Sequence, residues 1–135
     1  MKALDDALYA KLAGSLLVAD IGNRFYKGRA PDNAVFPYVV HSLVSSVPER
    51  TFSEQYENAL VQFDLFSSAA GSGEVETIYE HLNALLDEGS LTITGNALIW
   101  MRRVNAILMV EEITTPTGAK VWHYAVDYEV MMSLD

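Results

Sequence analysis

The stretch Tyr56-Glu57-Asn58-Ala59-Leu60-Val61-Gln62-Phe63-Asp64-Leu65-Phe66 constrains this chain more than any other. Side chains on a strand alternate between its two faces. From Ala59 onward, Ala59, Val61, Phe63 and Leu65 therefore share one wholly apolar face, and Leu60, Gln62, Asp64 and Phe66 share a mixed one. That pattern belongs to a central strand with a core side. The strand runs into the small residues Ser67-Ser68-Ala69-Ala70-Gly71-Ser72-Gly73 and from there into a helix. A strand-like segment precedes it, and a helix with further strands follows, so it ties two halves of one sheet together.

The remaining elements fall into place around it. Leu4, Leu8, Leu12 and Leu16 recur four apart over Ala3 to Val18, with Ala7 and Leu17 beside them, and predict one amphipathic helix. Asp5 and Asp6 lie in its first turn, where carboxylates complement the helix dipole. Ile21 to Lys27 reads as a short extended piece, Gly28 to Asn33 as an irregular loop, and Phe36 to Val44 as a strand with Pro37 confined to its start or to an edge. Ser45 to Gln55 is a polar connection to the central strand, with a long hairpin tip as its alternative reading. Val75, Ile78, Tyr79, Leu82, Leu85 and Leu86 share one face of the second helix, and Gly89 stands at its C-terminal cap position. Leu91 to Thr94 reads as a brief strand, Gly95-Asn96 as a tight turn, and Ala97 to Glu112 as a long strand. Thr115-Pro116-Thr117-Gly118 is a β-turn, and Val121 to Met132 alternates again. The expected order is α-β-β-β-α-β-β-β, an α+β fold with two helices packed on a mainly antiparallel β-sheet, in a single domain spanning residues 1–135.

Eighteen acidic residues against nine basic ones give a formal charge of -9. Such a chain repels phosphate, which argues against a nucleic-acid or anionic-membrane binder. Half of the residues are apolar despite that charge, a surplus that subunit interfaces would cover. Without cysteine there is no disulfide, thiolate metal site or cysteine nucleophile, which suits a reducing compartment. The longest helical apolar stretch, Leu12 to Val18, is broken by Gly14 and Ser15 and falls well short of the ~20 residues that a membrane span needs, and the first residues lack the pattern of a signal peptide.

No catalytic, cofactor or metal site assembles from the residues. Gly71-Ser72-Gly73 lies where a phosphate loop would, but Glu76 takes the place of a third glycine and no Gly-Lys-Ser follows. Glu74 and Glu76 put negative charge where an anion would sit. His41, His81 and His123 show no metal-ligand spacing. Asp127 and Glu129 share a strand face, with Asp64 on another strand, yet no nucleophile or oxyanion site accompanies them, and an acidic solvated or interfacial face is the simpler reading. Trp100, Trp122, Tyr124 and Tyr128 lack the basic groove of a single-strand stacking platform and read as core and interface aromatics.

If the last turn closes with Thr115 opposite Gly118, Ile107 faces Val126, Asn105 faces Tyr128 and Met109 faces Tyr124, and that side, with Trp122 and Val130, is the core. The other side then carries Trp100, Val104, Ala106 and Leu108 among Arg102, His123, Ala125, Asp127 and Glu129. Trp100, Arg102, Val104, Leu108, Asp127 and Glu129 are the candidate subunit interface, the alternative being a second layer of helix on that face. Arg50, Phe52 and Glu54 are the candidate contact residues of the 45–55 connection.

Arg24-Phe25-Tyr26, Ala30-Pro31, Phe36-Pro37-Tyr38-Val39-Val40, Val61-Gln62-Phe63-Asp64-Leu65-Phe66 and Tyr124-Ala125-Val126-Asp127-Tyr128-Glu129-Val130 occur in that order along the chain. In this order and spacing they resemble the tail completion, or tail terminator, family of tailed bacteriophages and prophages, over nearly the whole chain. The resemblance implies a structural virion protein, assembled in the bacterial cytoplasm, that forms a ring, typically a hexamer, on the head-proximal end of the tail tube. Such a ring ends tube polymerisation, meets the tail tube protein and the head-tail connector, and leaves a channel for DNA that it does not bind specifically. It implies no catalytic residues and no cofactor. A neck or connector adaptor of similar shape, a small ligand-binding α+β domain, and a monomeric or dimeric adaptor remain the alternatives. At physiological salt the isolated protein is expected to bind duplex DNA negligibly, because affinity comes mainly from neutralising phosphates; a sub-micromolar, salt-sensitive Kd in a titration would contradict this.

Overall fold

The computed structural model describes residues 2–15, 17–114 and 120–134. Along them run α1 (Lys2–Ala13), α2 (Leu17–Ile21), β1 (Phe25–Lys27), β2 (Tyr38–Arg50), β3 (Gln55–Ser67), α3 (Gly73–Leu86), β4 (Asn96–Thr114) and β5 (Lys120–Leu134). The strands form one sheet in the order β1-β2-β3-β5-β4. Only the short β1–β2 pair is parallel. β3 lies at the centre, paired with β2 from Gln55 to Phe66 and with β5 from Tyr56 to Ser67.

The faces of β3 divide as its alternation requires. Ala59, Val61, Phe63 and Leu65 are fully buried, and across β5 they continue into Val126, Tyr128, Val130 and Met132. The helices cover this side, contributing Leu4, Leu8, Leu12, Leu17, Val75, Ile78, Leu82 and Leu86 to the same core. Tyr128 joins the two layers: its ring meets Phe63 edge-on, and its hydroxyl donates to Asn83 Oδ1 of α3 at 2.9 Å. Burial pushes that phenol well above its ordinary pKa, so it stays a neutral donor. Tyr79 of α3 stacks on Tyr124 of β5 at 4.4 Å.

The first helical stretch is broken. Ser15 returns both its N–H and its hydroxyl to the Leu12 carbonyl, at 3.2 and 2.7 Å, which ends α1 next to Gly14, and a second short helix starts at Leu17. Leu16, expected on the apolar stripe, lies outside the described residues. Gly22 and Asn23 then take positive φ, and the Arg24 side chain folds back beneath Gly22. A Cβ at Gly22 would lie 2.9 Å from the Arg24 guanidinium. Arg24 Nε donates to the Pro37 carbonyl at 2.8 Å, tying β1 to the start of β2.

Three further expectations are corrected. The 45–55 connection is mostly strand: β2 runs to Arg50 and β3 begins at Gln55, with a bulge between Leu43 and Ser45. Leu91 to Thr94 forms no strand, although Gly95, at φ +82, makes the expected turn. At the end of α3 the left-handed residue is Glu88 rather than Gly89; glycine is required at 89 because a Cβ there would meet the Leu85 carbonyl at 2.4 Å.

The largest correction concerns the last hairpin. Its turn, Thr115 to Gly118, lies outside the described residues. β4 is irregular between Leu98 and Trp100, between Arg103 and Asn105 and between Glu111 and Thr114; residues 100–103 keep the expected faces, and the extra residue Val104 turns the side chains after it to the opposite ones. Ile107 therefore faces Ala125, Asn105 faces Asp127 and Met109 faces His123. β5 presents the expected face to the core, but on β4 it is Met101, Ala106 and Leu108 that pack there, while Ile107 is 49% exposed. Met101→Asp places an unpaired carboxylate in a fully buried site, at a cost of several kcal/mol against a stability of about 5–15 kcal/mol. It is expected to abolish cooperative thermal unfolding, whereas Ile107→Asp should leave stability within roughly 0.5 kcal/mol of the parent; loss of cooperative unfolding in Ile107→Asp would restore the simpler register, in which Met101 and Ile107 share the core face.

Candidate functional site

Among the described residues the helices pack on the Ala59, Val61, Phe63 and Leu65 side of the sheet and none on the other, unlike the alternative of a second helical layer. The strand register orders this face in rows from β2 to β4. Val47, Asn58, Met131 and Trp100 lie side by side, then Ser45, Leu60, Glu129 and Arg102. Next come Ser42, Gln62, Asp127 and Asn105, and then Val40, Asp64, Ala125 and Ile107. The middle of the face is acidic, and apolar side chains stand at both margins.

The acids in the middle are held within their own chain. Gln62 Nε2 donates to Asp64 Oδ1 at 2.9 Å, Asn58 Nδ2 donates to Glu129 Oε1 at 2.7 Å, and Arg102 stacks over Trp100 at 3.9 Å. His123 lies between two carboxylates, with Nε2 2.7 Å from Asp64 Oδ1 and Nδ1 2.6 Å from Glu111 Oε1, and stacks on Phe66 at 4.4 Å. A neutral imidazole has one N–H; both bonds form only when the ring is protonated. Burial opposes that charge, but the two carboxylates outweigh it and hold the His123 pKa above its ordinary value. Asp127 is less well served. Burial and the neighbouring Asp64 carboxylate raise its pKa, and Oδ1 is buried without a hydrogen-bond partner among the described residues.

These groups do not compose a reaction centre. No three His, Cys, Asp or Glu side chains among the described residues are placed to hold one metal ion. At the α3 entry Glu76 accepts from Ser72 and Glu74 from Ser67, so carboxylates fill the place of a bound anion. His41 is buried against Phe25 and Phe63, far from His123 in the strand order, and burial lowers its pKa. His81 pairs with Asp20 between the helices.

Of the six candidate interface residues, Trp100, Arg102, Asp127 and Glu129 share the helix-free face. Val104 is the extra residue of a bulge at the β4 edge, 48% exposed, and Leu108 is corrected to the helix side, where it packs against the core. Arg50, Phe52 and Glu54 stand at the β2–β3 hairpin tip, with Phe52 fully exposed. The cluster of His123, Asp64 and Glu111 was not visible in the sequence, because it depends on the pairing of β3, β5 and β4.

Because the folded His123 pKa is raised, its contribution to stability is fully present below the unfolded pKa and is lost as pH rises through the folded value. The stability difference between wild type and His123→Gln is accordingly expected to be larger at pH 6 than at pH 9 in urea unfolding. A difference independent of pH would mean that His123 is neutral in the fold.

With this geometry in view, the likeness to known proteins is informative. No curated protein matches the chain. Among solved structures, a chain described as "Virion of native gene transfer agent (GTA) particle" is 16% identical, with a TM-score of 0.79 over 96% of this chain and 94% of that one, which establishes a shared fold. A second solved chain, 15% identical over 93% of this chain and 94% of that one, reaches a TM-score of only 0.48. The sequence profile of the family described as tail completion protein gp17 matches residues 2–133, nearly the entire chain. Its members are structural proteins of phage tails rather than enzymes, and the chain belongs to this tail completion family.

Proposed function

We propose that the protein forms a closed ring, typically of six copies, on the head-proximal end of a phage tail tube. It ends tube polymerisation there and presents a surface to the head-tail connector. Membership in the tail completion family supports this reading. The observation that carries it further is the distribution of exposed apolar residues. Leu43, Val44, Val47 and Phe52 lie on β2 and its hairpin tip, and Ile99, Val104, Ile107, Met109 and Val110 lie on β4. Only Tyr9 and Val35 complete the exposed large apolar residues among those described. Apolar side chains gathered on two margins mark contact surfaces rather than random exposure.

Trp100, Arg102 and Val104 belong to such a contact, with Asp127 and Glu129 beside them on the same face. The ring leaves a passage for DNA, and the net charge of -9 keeps the duplex from sticking to the wall. Partners are further copies of the chain, the tail tube protein and the connector. Particles made without this protein are expected to carry overlong tails detached from heads when viewed by electron microscopy. Tails of normal length, joined to heads, would remove both the termination and the joining role.

A further inference from the structure

We propose that the outer half of β2 with its hairpin tip docks against the outer edge of β4 in a second copy of this chain, head to tail. The inference rests on the ring reading and assigns its contact. β1 pairs with β2 only from Val39 to His41, so β2 from Leu43 to Arg50 is an unpaired edge, and every residue in it is exposed. β4 is the other edge of the sheet. Its middle is already occupied: the Glu88 N–H donates to the Met101 carbonyl at 2.8 Å and the Arg103 N–H to Asp87 Oδ1 at 2.9 Å. The stretch from Val104 to Val110 remains open and holds four of the exposed apolar residues of β4.

Three features select another copy of this chain as the occupant. The first is charge: Glu49, Glu54 and Glu57 against Arg50 make the β2–β3 end acidic, while exposed Arg102 and Arg103 stand just before the open β4 stretch and the Glu111 carboxylate beyond it is engaged by His123. The second is direction. Strands alternate through β2, β3, β5 and β4, so β4 of one copy and β2 of the next run antiparallel when copies are related by rotation about an axis along the strands. The third is non-identity: the two surfaces differ, so each copy offers one of each, and such heterologous contacts generate a ring when the rotation between copies closes. The free parts of β2 and β4 lie at different levels of the sheet, so a closed ring has its strands tilted from the axis, which staggers neighbouring edges without a rise between copies. Pro48 lacks an N–H and the bulge at Val44 interrupts the edge, so side-chain packing rather than a continuous main-chain ladder holds the contact.

Two variants test this by native mass spectrometry: Val47→Ser/Phe52→Ser, which disables the β2 surface, and Val104→Asp/Ile107→Asp, which disables the β4 surface. All four positions are exposed, and thermal unfolding checks that both proteins fold; Arg102→Glu/Arg103→Glu serves as a second β4 variant with the same expected result. Wild type is expected to assemble and each variant alone to stay monomeric. Their equimolar mixture should give a 1:1 dimer at twice the 14.9 kDa chain mass, since one intact surface of each kind remains and no further growth is possible. If wild type assembles but either variant still assembles alone, or the mixture yields no dimer, the docking of β2 on β4 is overturned while the ring stands. A wild type that remains monomeric to hundreds of micromolar overturns both.

Discussion

Burial of Ala59, Val61, Phe63 and Leu65 against the helices fixes the remainder of the fold, because β3 is also hydrogen-bonded along both of its edges. Removing a valine, leucine or phenylalanine side chain from water contributes about 1.5–3 kcal/mol. A one-residue slip of β3 would exchange that row for Leu60, Gln62, Asp64 and Phe66, bringing a carboxylate and an amide into the core, so the register is strongly specified. β2 and β5 inherit their register from it. Through β5 the constraint reaches α3, where Tyr128 lies between Phe63 and Asn83. The shared fold with a virion chain of only 16% identity is understandable in these terms, since an apolar row is satisfied by many sequences.

What a sequence shows of this fold follows from how locally each element is determined. β3, α3 and the core face of β5 were legible because period and burial coincide in them. The 91–94 stretch was misread because Leu91 and Ile93 are apolar for packing reasons, not for pairing. The end of α1 was missed because it depends on two hydrogen bonds from Ser15 to one carbonyl. β4 was half legible. Its length and apolar character were plain, but a bulge leaves no local mark, and the one at Val104 suffices to move Leu108 to the core and Ile107 to the surface.

The candidate site was legible to a lesser degree for the same reason. Trp100, Arg102, Asp127 and Glu129 were correctly placed on one face, because the side of β5 was right and β4 agrees with it before the bulge at Val104. That the face carries no helix could not be read from one-dimensional periodicity, since β4 keeps apolar residues on both sides. The His123 cluster needed three strands in register at once. Its geometry places a readily protonated imidazole between two acids near Asp127, whose pKa is raised by burial and by the Asp64 carboxylate.

A charge of -9 and two apolar margins act over different distances, and the difference bears on when copies would associate. Repulsion between like-charged copies extends over roughly a Debye length, about 8 Å at physiological salt, whereas apolar contact begins only when side chains touch. Free copies therefore meet a barrier before they meet an attraction, which keeps exposed Phe52, Val104 and Ile107 from driving indiscriminate aggregation. Pro48 and the bulges of β2 and β4 add to that protection, since they deny an incoming strand an unbroken edge. In the proposed ring, a tail end that already holds one copy would fix position and orientation, so the next copy would bring Arg102 and Arg103 toward an acidic β2–β3 end instead of presenting acid to acid. The charge therefore slows assembly in solution without preventing it, and a template would speed the same contact by presenting Arg102 and Arg103 to the acidic end of a neighbour.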